Sequence, residues 1–249
     1  MMSEYLHKLR QLLDVVEQKE HPKMLHAAHV IVRCIKNDGI IHVFGSGHSH
    51  MLGEELFYRA GGLAPISPIL IEDLMLHKGA IESSNLEKKN GLAREYLDSS
   101  NILAGDIVIV ASTSGRNPVP IEVAEIAKEK GAYVIAITSP RYSISQSSRH
   151  ERGKYLFEVV DLFIDNHIDV GDTLLHHSNS LSGFSSGSTI IGMTIVNSIM
   201  AETIAIMLEE GMEPPVFMSN NADHAGSHNQ QLIERYKERI PMLVTNLYN

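Results

Sequence analysis

The chain has 249 residues, of which 43% are hydrophobic and 20% charged, fractions that suit a folded globule with a full core rather than a disordered or fibrous chain. A formal charge of −9 with no basic cluster argues against nucleic-acid binding, and the single cysteine, Cys34, excludes an intramolecular disulfide. The N-terminus is charged throughout, unlike a signal peptide, and no unbroken apolar stretch reaches the about 18 residues of a membrane span, so a cytoplasmic location without a membrane partner is expected.

Apolar positions Tyr5, Leu6, Leu9, Leu12, Leu13 and Val16 recur at helical spacing and predict a helix over 3–19. A second helix is predicted over 23–37, with Pro22 near its start. Cys34 falls inside the apolar run 30–35 and reads as a core thiol. Residues 39–44 form a short apolar run that ends in glycines and read as a buried strand, followed by a helix over 49–60 that stops at Gly61 and Gly62. Further strands are predicted at 66–71, 106–111, 133–138 and 161–164, with helices between most of them, notably 119–130 ending at Gly131. Five short apolar strands alternating with helices predict an α/β fold: a three-layer α-β-α sandwich around a five-stranded parallel sheet. A long helix over 188–210 is apolar on more than one stripe and is expected to be buried on several sides, a dimer interface being one way to achieve this. A last helix is predicted over 228–238. With no linker or internal repeat, the chain reads as one domain over 1–249: N-terminal helices to 37, a core over 38–210, and a C-terminal loop and helix over 211–249.

In open parallel sheets, ligands bind beyond the carboxyl ends of the strands. The loop after the first strand is Gly45-Ser46-Gly47-His48-Ser49. Its glycines allow close approach of a ligand, and Ser49 falls near a helix N-terminus, where free N–H groups favour an anion. It lacks the third glycine of the dinucleotide fingerprint, since position 50 is His50. The loop after the third strand is Ser112-Thr113-Ser114-Gly115-Arg116-Asn117-Pro118. Three adjacent hydroxyls, a glycine, Asn117 as helix cap and Pro118 at the first helical position make a set of hydroxyl and amide donors suited to one phosphate. Arg116 either pairs with that phosphate or points to solvent.

The pair GSGHS and STSGRN resembles the SIS family of phosphosugar isomerases and phosphosugar-binding regulators, over roughly residues 25–210. The resemblance implies sugar-phosphate ligands at Ser49, Ser112, Ser114 and Asn117, helped by Thr113, Gly115 and the first-loop residues Ser46, Gly47 and His48. It implies an enzyme, an aldose–ketose isomerase working through an enediolate, closest to the phosphoheptose-isomerase-like members. A non-catalytic sugar-phosphate sensor, a lyase and an amino-sugar enzyme stay open as alternatives, as does a nucleotide-binding protein. Partners implied are a phosphorylated sugar and further copies of the chain, as a homodimer or homotetramer.

Isomerisation needs a base to carry a proton between two carbons and a group to assist ring opening. Family members place a glutamate on the helix after the first loop, which points to Glu55, or to its neighbour Glu54. A histidine in the loop after the second strand makes His77 an acid/base candidate. The polar segment before the last helix offers His224, and with it His228, to its own or a neighbouring site. His48, His50 and Glu54 have ligand types that zinc accepts, but their spacing does not align with the metal-binding members, and no metal or other cofactor is expected.

Overall fold

The computed structural model describes residues 1–219 and 225–244. The first helix, α1 (Met2–Lys36), is a single rod of 35 residues, about 52 Å long at 1.5 Å per residue. The two helices expected here are therefore one, running through Pro22. Proline leaves the carbonyl four residues earlier without its N–H partner. That residue, Gln18, is exposed, so water can satisfy it.

Five strands follow: β1 (Ile41–Gly45), β2 (Ile66–Ile69), β3 (Ile107–Ala111), β4 (Tyr133–Thr138) and β5 (Leu162–Asp165). They form one parallel sheet in the order β2-β1-β3-β4-β5. Between them lie α2 (Met51–Leu56), α3 (Leu76–Leu86), α4 (Leu92–Leu97), α5 (Pro118–Glu129), α6 (Pro140–Ile144) and α7 (Leu156–Val159). After β5 come α8 (Ser188–Glu209) and α9 (Ala225–Tyr236).

Because successive strand side chains point to opposite faces, the sheet sorts its residues into two cores. Ile41, Val43, Ile107, Ile109, Ile135 and Ile137 pack with Ile31 and Ile35 of α1, Leu52 of α2, and Ile191, Ile195 and Ile199 of α8. Phe44, Val108, Val110, Val134 and Ala136 pack with Leu92 and Leu97 of α4 and Ile121 and Ala124 of α5. A smaller cluster at the amino ends of the strands joins Ile40, Ala64 and Phe217 to Leu232, Tyr236 and Ile240, and so docks α9 there. By length and composition α8 could cross a membrane, but half of that stretch is buried inside the protein.

The same amino end holds a buried polar knot. Asp106 is 1% exposed. It accepts hydrogen bonds from the N–H groups of Ile40 (2.9 Å) and Leu103 (2.8 Å), sits 3.2 Å from His42 Nε2, and pairs with Arg239 at 2.6 Å. Burial pushes its pKa up, but the bonds from His42, Ile40 and Leu103 outweigh burial and hold it below its ordinary value. Cys34 is buried nearby, its thiol pushed up to about 12 by burial and by Asp106. It is an inert core thiol, as its apolar surroundings in the sequence indicate.

Candidate functional site

The strand order reverses between β1 and β3, and the two run side by side with Gly45 registered on Ala111. Neighbouring strands lie about 4.8 Å apart, so the loops that leave these two residues start next to each other. Sheet order alone therefore brings together two motifs more than 60 residues apart.

The first loop turns within one residue of β1. Ser46 is extended, Gly47 has φ of +53°, and residues Gly47–His50 make a 3-10 turn. Gly45 is indispensable to this turn: a Cβ there would lie 2.4 Å from the carbonyl carbon and oxygen of Ser49. The second loop is tied down at several points. The Ser112 N–H donates to Ile137 O (3.0 Å), and Ser139 N–H donates to Thr113 O (3.0 Å). Gly115 has φ of +54°, and a Cβ on it would meet Thr138 Oγ1 at 2.6 Å.

A small solvent-open cleft, whose enclosed part has room for about one water molecule, lies where the loops meet. Its polar wall comes from Ser49, Ser112 and Thr113, joined by Asn166, which follows β5, and by Ser188 and Thr189 at the start of α8. Leu52, Ala111, Ile137 and Gly192 complete it. Ser112 Oγ accepts from the Gly115 N–H (3.3 Å), and Thr113 Oγ1 accepts from Asn166 Nδ2 (3.0 Å). Each hydroxyl thus has a protein donor on its oxygen and its own proton free to point at a ligand, which sets both as donors to an anion. Ser188 differs, because its hydroxyl proton is spent on Asp172 Oδ2 (2.6 Å). None of the lining side chains is titratable.

Of the nine residues expected to hold phosphate, Ser49, Ser112 and Thr113 line the cavity. Ser46, Gly47, His48, Ser114, Gly115 and Asn117 belong to the same two loops without lining it. Asn117 occupies the cap position of α5, yet its side chain makes no cap bond and accepts from Arg149 (2.8 Å) instead. Arg116 donates to Ser147 O at 3.0 and 2.6 Å.

The acid/base candidates stand outside the cavity wall. Glu54 is exposed and 3.6 Å from His50. Glu55 accepts from Asn197 Nδ2 of α8 (3.0 Å) and pairs with Arg59 (2.5 Å). His77 is exposed in the first turn of α3, directly after Leu76, whose Cδ2 lies 3.9 Å from where a Cβ on Gly47 would be. That contact sets the start of α3 beside the first loop. His224 lies outside the described residues. His228 bonds Val216 O at 2.9 Å on α9, which docks at the amino ends of the strands, the opposite end of the sheet from the cavity. Among the described residues no group of three or more His, Cys, Asp and Glu side chains is arranged to hold a metal ion.

The SIS domain family matches residues 4–139 of this sequence. The chain belongs to the SIS domain family. Among curated proteins it is 52% identical over 244 residues to a UPF0309 protein of Geobacillus kaustophilus, covering 98% of this chain and 97% of that one. It is 50% identical over 247 residues to a UPF0309 protein of Listeria innocua, covering 99% of this chain and all of that one. In fold it is similar to the phosphoheptose isomerases of Neisseria gonorrhoeae (TM-score 0.53, 14% identity, 82% of this chain, 97% of that one) and Francisella tularensis (TM-score 0.53, 16% identity, 82% and 96%).

Proposed function

We propose that this protein binds a sugar phosphate, seating the phosphoryl group in the cavity between the two loops and leaving the sugar at its mouth. The observation that carries this reading is the convergence of Ser49, Ser112 and Thr113 on one cavity at the β1–β3 reversal. Membership of the SIS family and the fold shared with phosphoheptose isomerases support it. A thermal-shift screen of phosphorylated pentoses, hexoses, heptoses and amino sugars tests it. A true ligand at 100 times its Kd adds about 2.7 kcal/mol of stability. Ser112→Ala and Thr113→Val each remove one hydrogen bond to a charged group, worth about 1.5–3 kcal/mol, so each is expected to weaken binding about ten- to a hundredfold. A screen in which only NAD or ATP stabilises the protein overturns the sugar-phosphate reading.

The reaction we assign is aldose–ketose isomerisation through an enediolate. A glutamate of α2, Glu55 or Glu54, moves the proton in this reading, and His77 of α3, or His224 from the same or a neighbouring copy, assists. His77→Gln is expected to lower kcat about 100- to 10,000-fold while leaving Kd for the sugar phosphate within a few-fold. Equal turnover by His77→Gln and wild type removes His77 from the reaction. One observation favours a second reading, a sensor without turnover: the lining of the cavity holds no titratable side chain. Tight binding of a sugar phosphate with no isomerised product by NMR selects the sensor. A homodimer or homotetramer fits both readings, since Ile190 and Leu208 of α8 remain 42% and 59% exposed. A cytoplasmic location fits as well, because phosphorylated sugars do not cross membranes unaided.

A further inference from the structure

We propose that Glu20, far from the cavity in sequence and on a different layer of the fold, is a positioning residue for the phosphate-binding loop; this rests on the reading that the cavity takes a phosphate. Glu20 projects from the middle of α1 and is 4% exposed. Its two carboxylate oxygens grip the chain on either side of Asn166. One accepts from the N–H of Asp165 (3.3 Å), and the other lies 3.1 Å from His167 Nε2. Lys23, one turn along α1, pairs with the first oxygen at 2.8 Å. His167 is held on its other side by Asp165, whose carboxylate is 3.5 Å from Nδ1 and also accepts the His167 N–H at 2.7 Å.

The residue between these clamps is the one that sets the loop. Asn166 is 1% exposed. Its N–H donates to Thr138 O (3.0 Å), its Oδ1 accepts from the N–H of Ile168 (3.2 Å), and its Nδ2 donates to Thr113 Oγ1 (3.0 Å). That last bond leaves the Thr113 proton free for an anion. The bend that delivers Asn166 to this position requires His167 at φ of +52°, a backbone conformation that costs a residue other than glycine free energy unless its surroundings hold it. The Glu20–His167 contact supplies that hold. A buried carboxylate is expensive to keep without a cation, and Lys23 supplies one beside Glu20, so the clamp closes on residues 165–167 as a unit.

The test is a double-mutant cycle on the full-length protein, read by isothermal titration with inorganic phosphate. Glu20→Gln is expected to weaken phosphate binding about tenfold, and Thr113→Val to weaken it by at least as much. The Glu20→Gln/Thr113→Val double variant should bind no worse than Thr113→Val alone, because Glu20 acts through that hydroxyl. A purely structural role lowers the melting temperature without producing this non-additivity. His167→Gln, at a side chain 19% exposed, is the second variant should Glu20→Gln fail to fold, and it should show the same dependence on Thr113. Wild-type affinity in Glu20→Gln or His167→Gln, or losses that simply add to that of Thr113→Val, overturns the inference while leaving the cavity reading intact. Failure of the wild type to bind any phosphate overturns both.

Discussion

Replacing Gly45 by alanine is expected to abolish phosphate binding and to lower the melting temperature by about 6–12 °C. The new Cβ would lie 2.4 Å from the Ser49 carbonyl group and 2.8 Å from the His50 nitrogen, and both are backbone. No rotamer change relieves such a contact, so the turn that carries Ser49 must move. Overpacking at this severity costs about 3 kcal/mol, and for a chain of this size each kcal/mol shifts the melting point about 2–4 °C. Gly226→Ala is the control: among the described residues nothing lies within 4 Å of a Cβ there, and the residue sits in the first turn of α9, away from the cavity. Thermal melts and phosphate titration of the two variants check the prediction. A Gly45→Ala protein that binds phosphate like the wild type shows that the turn does not need its present shape.

Asp106→Asn is expected to be the most destabilising single change at the amino end of the sheet. It leaves Arg239 beside a neutral amide and replaces one of two acceptor oxygens by a donor, where Oδ1 accepts from the Ile40 N–H and Oδ2 serves the Leu103 N–H, His42 and Arg239. Breaking a buried pair in this way costs about 3–5 kcal/mol, or about 6–20 °C in melting temperature. The pH dependence has a definite sign. The folded-state pKa of Asp106 lies below its ordinary value of 3.8, so its contribution is fully present above that value and is lost as pH falls below it, through the folded-state pKa. Acid unfolding followed by circular dichroism should therefore show a steeper loss of stability in that window for wild type than for Asp106→Asn. Arg239→Gln should be less harmful in the Asp106→Asn background than alone. If Asp106→Asn melts within 2 °C of wild type, the knot contributes little.

Much of this architecture could be read from the residue pattern. All five strands lie within three residues of the predicted limits, because each is a short, mainly apolar run bounded by turn residues; β1 and β3 are buried throughout, whereas the edge strands β2 and β5 are only partly so. Gly131 closes α5 at φ of +85° as expected. Pro22 does not divide α1, against the expectation of two helices, for a physical reason. Proline usually marks a helix start, but a proline whose orphaned carbonyl faces water is tolerated when the flanking turns are anchored, here by Val16 and Glu20 before it and Ala27 and Ala28 after it, all buried.

The candidate cavity is legible in the sequence where a strand end coincides with a hydroxyl-rich loop, and less so elsewhere. Ser49, Ser112 and Thr113 stood out for that reason. Asn166, Ser188 and Thr189 did not, since their neighbours in sequence carry no phosphate-loop pattern. The signal that would have found Asn166 is positional: it directly follows β5, and every strand end in a parallel sheet points at the same rim. The engagement of Asn117 by Arg149, and of Glu55 by Asn197, depends on contacts between segments 32 and 142 residues apart, and no local pattern encodes them.

The pairing of Asp106 with Arg239 also has a consequence for synthesis. The two residues are 133 positions apart, and at 5–20 residues per second a ribosome needs about 7–27 s to travel between them. Throughout that interval the growing sheet can already hold Asp106 against His42 and the backbone of residues 40 and 103, but the guanidinium has not yet been made. A nascent chain halted before residue 239 would carry Asp106 in its interior without the guanidinium that pairs with it in the finished fold.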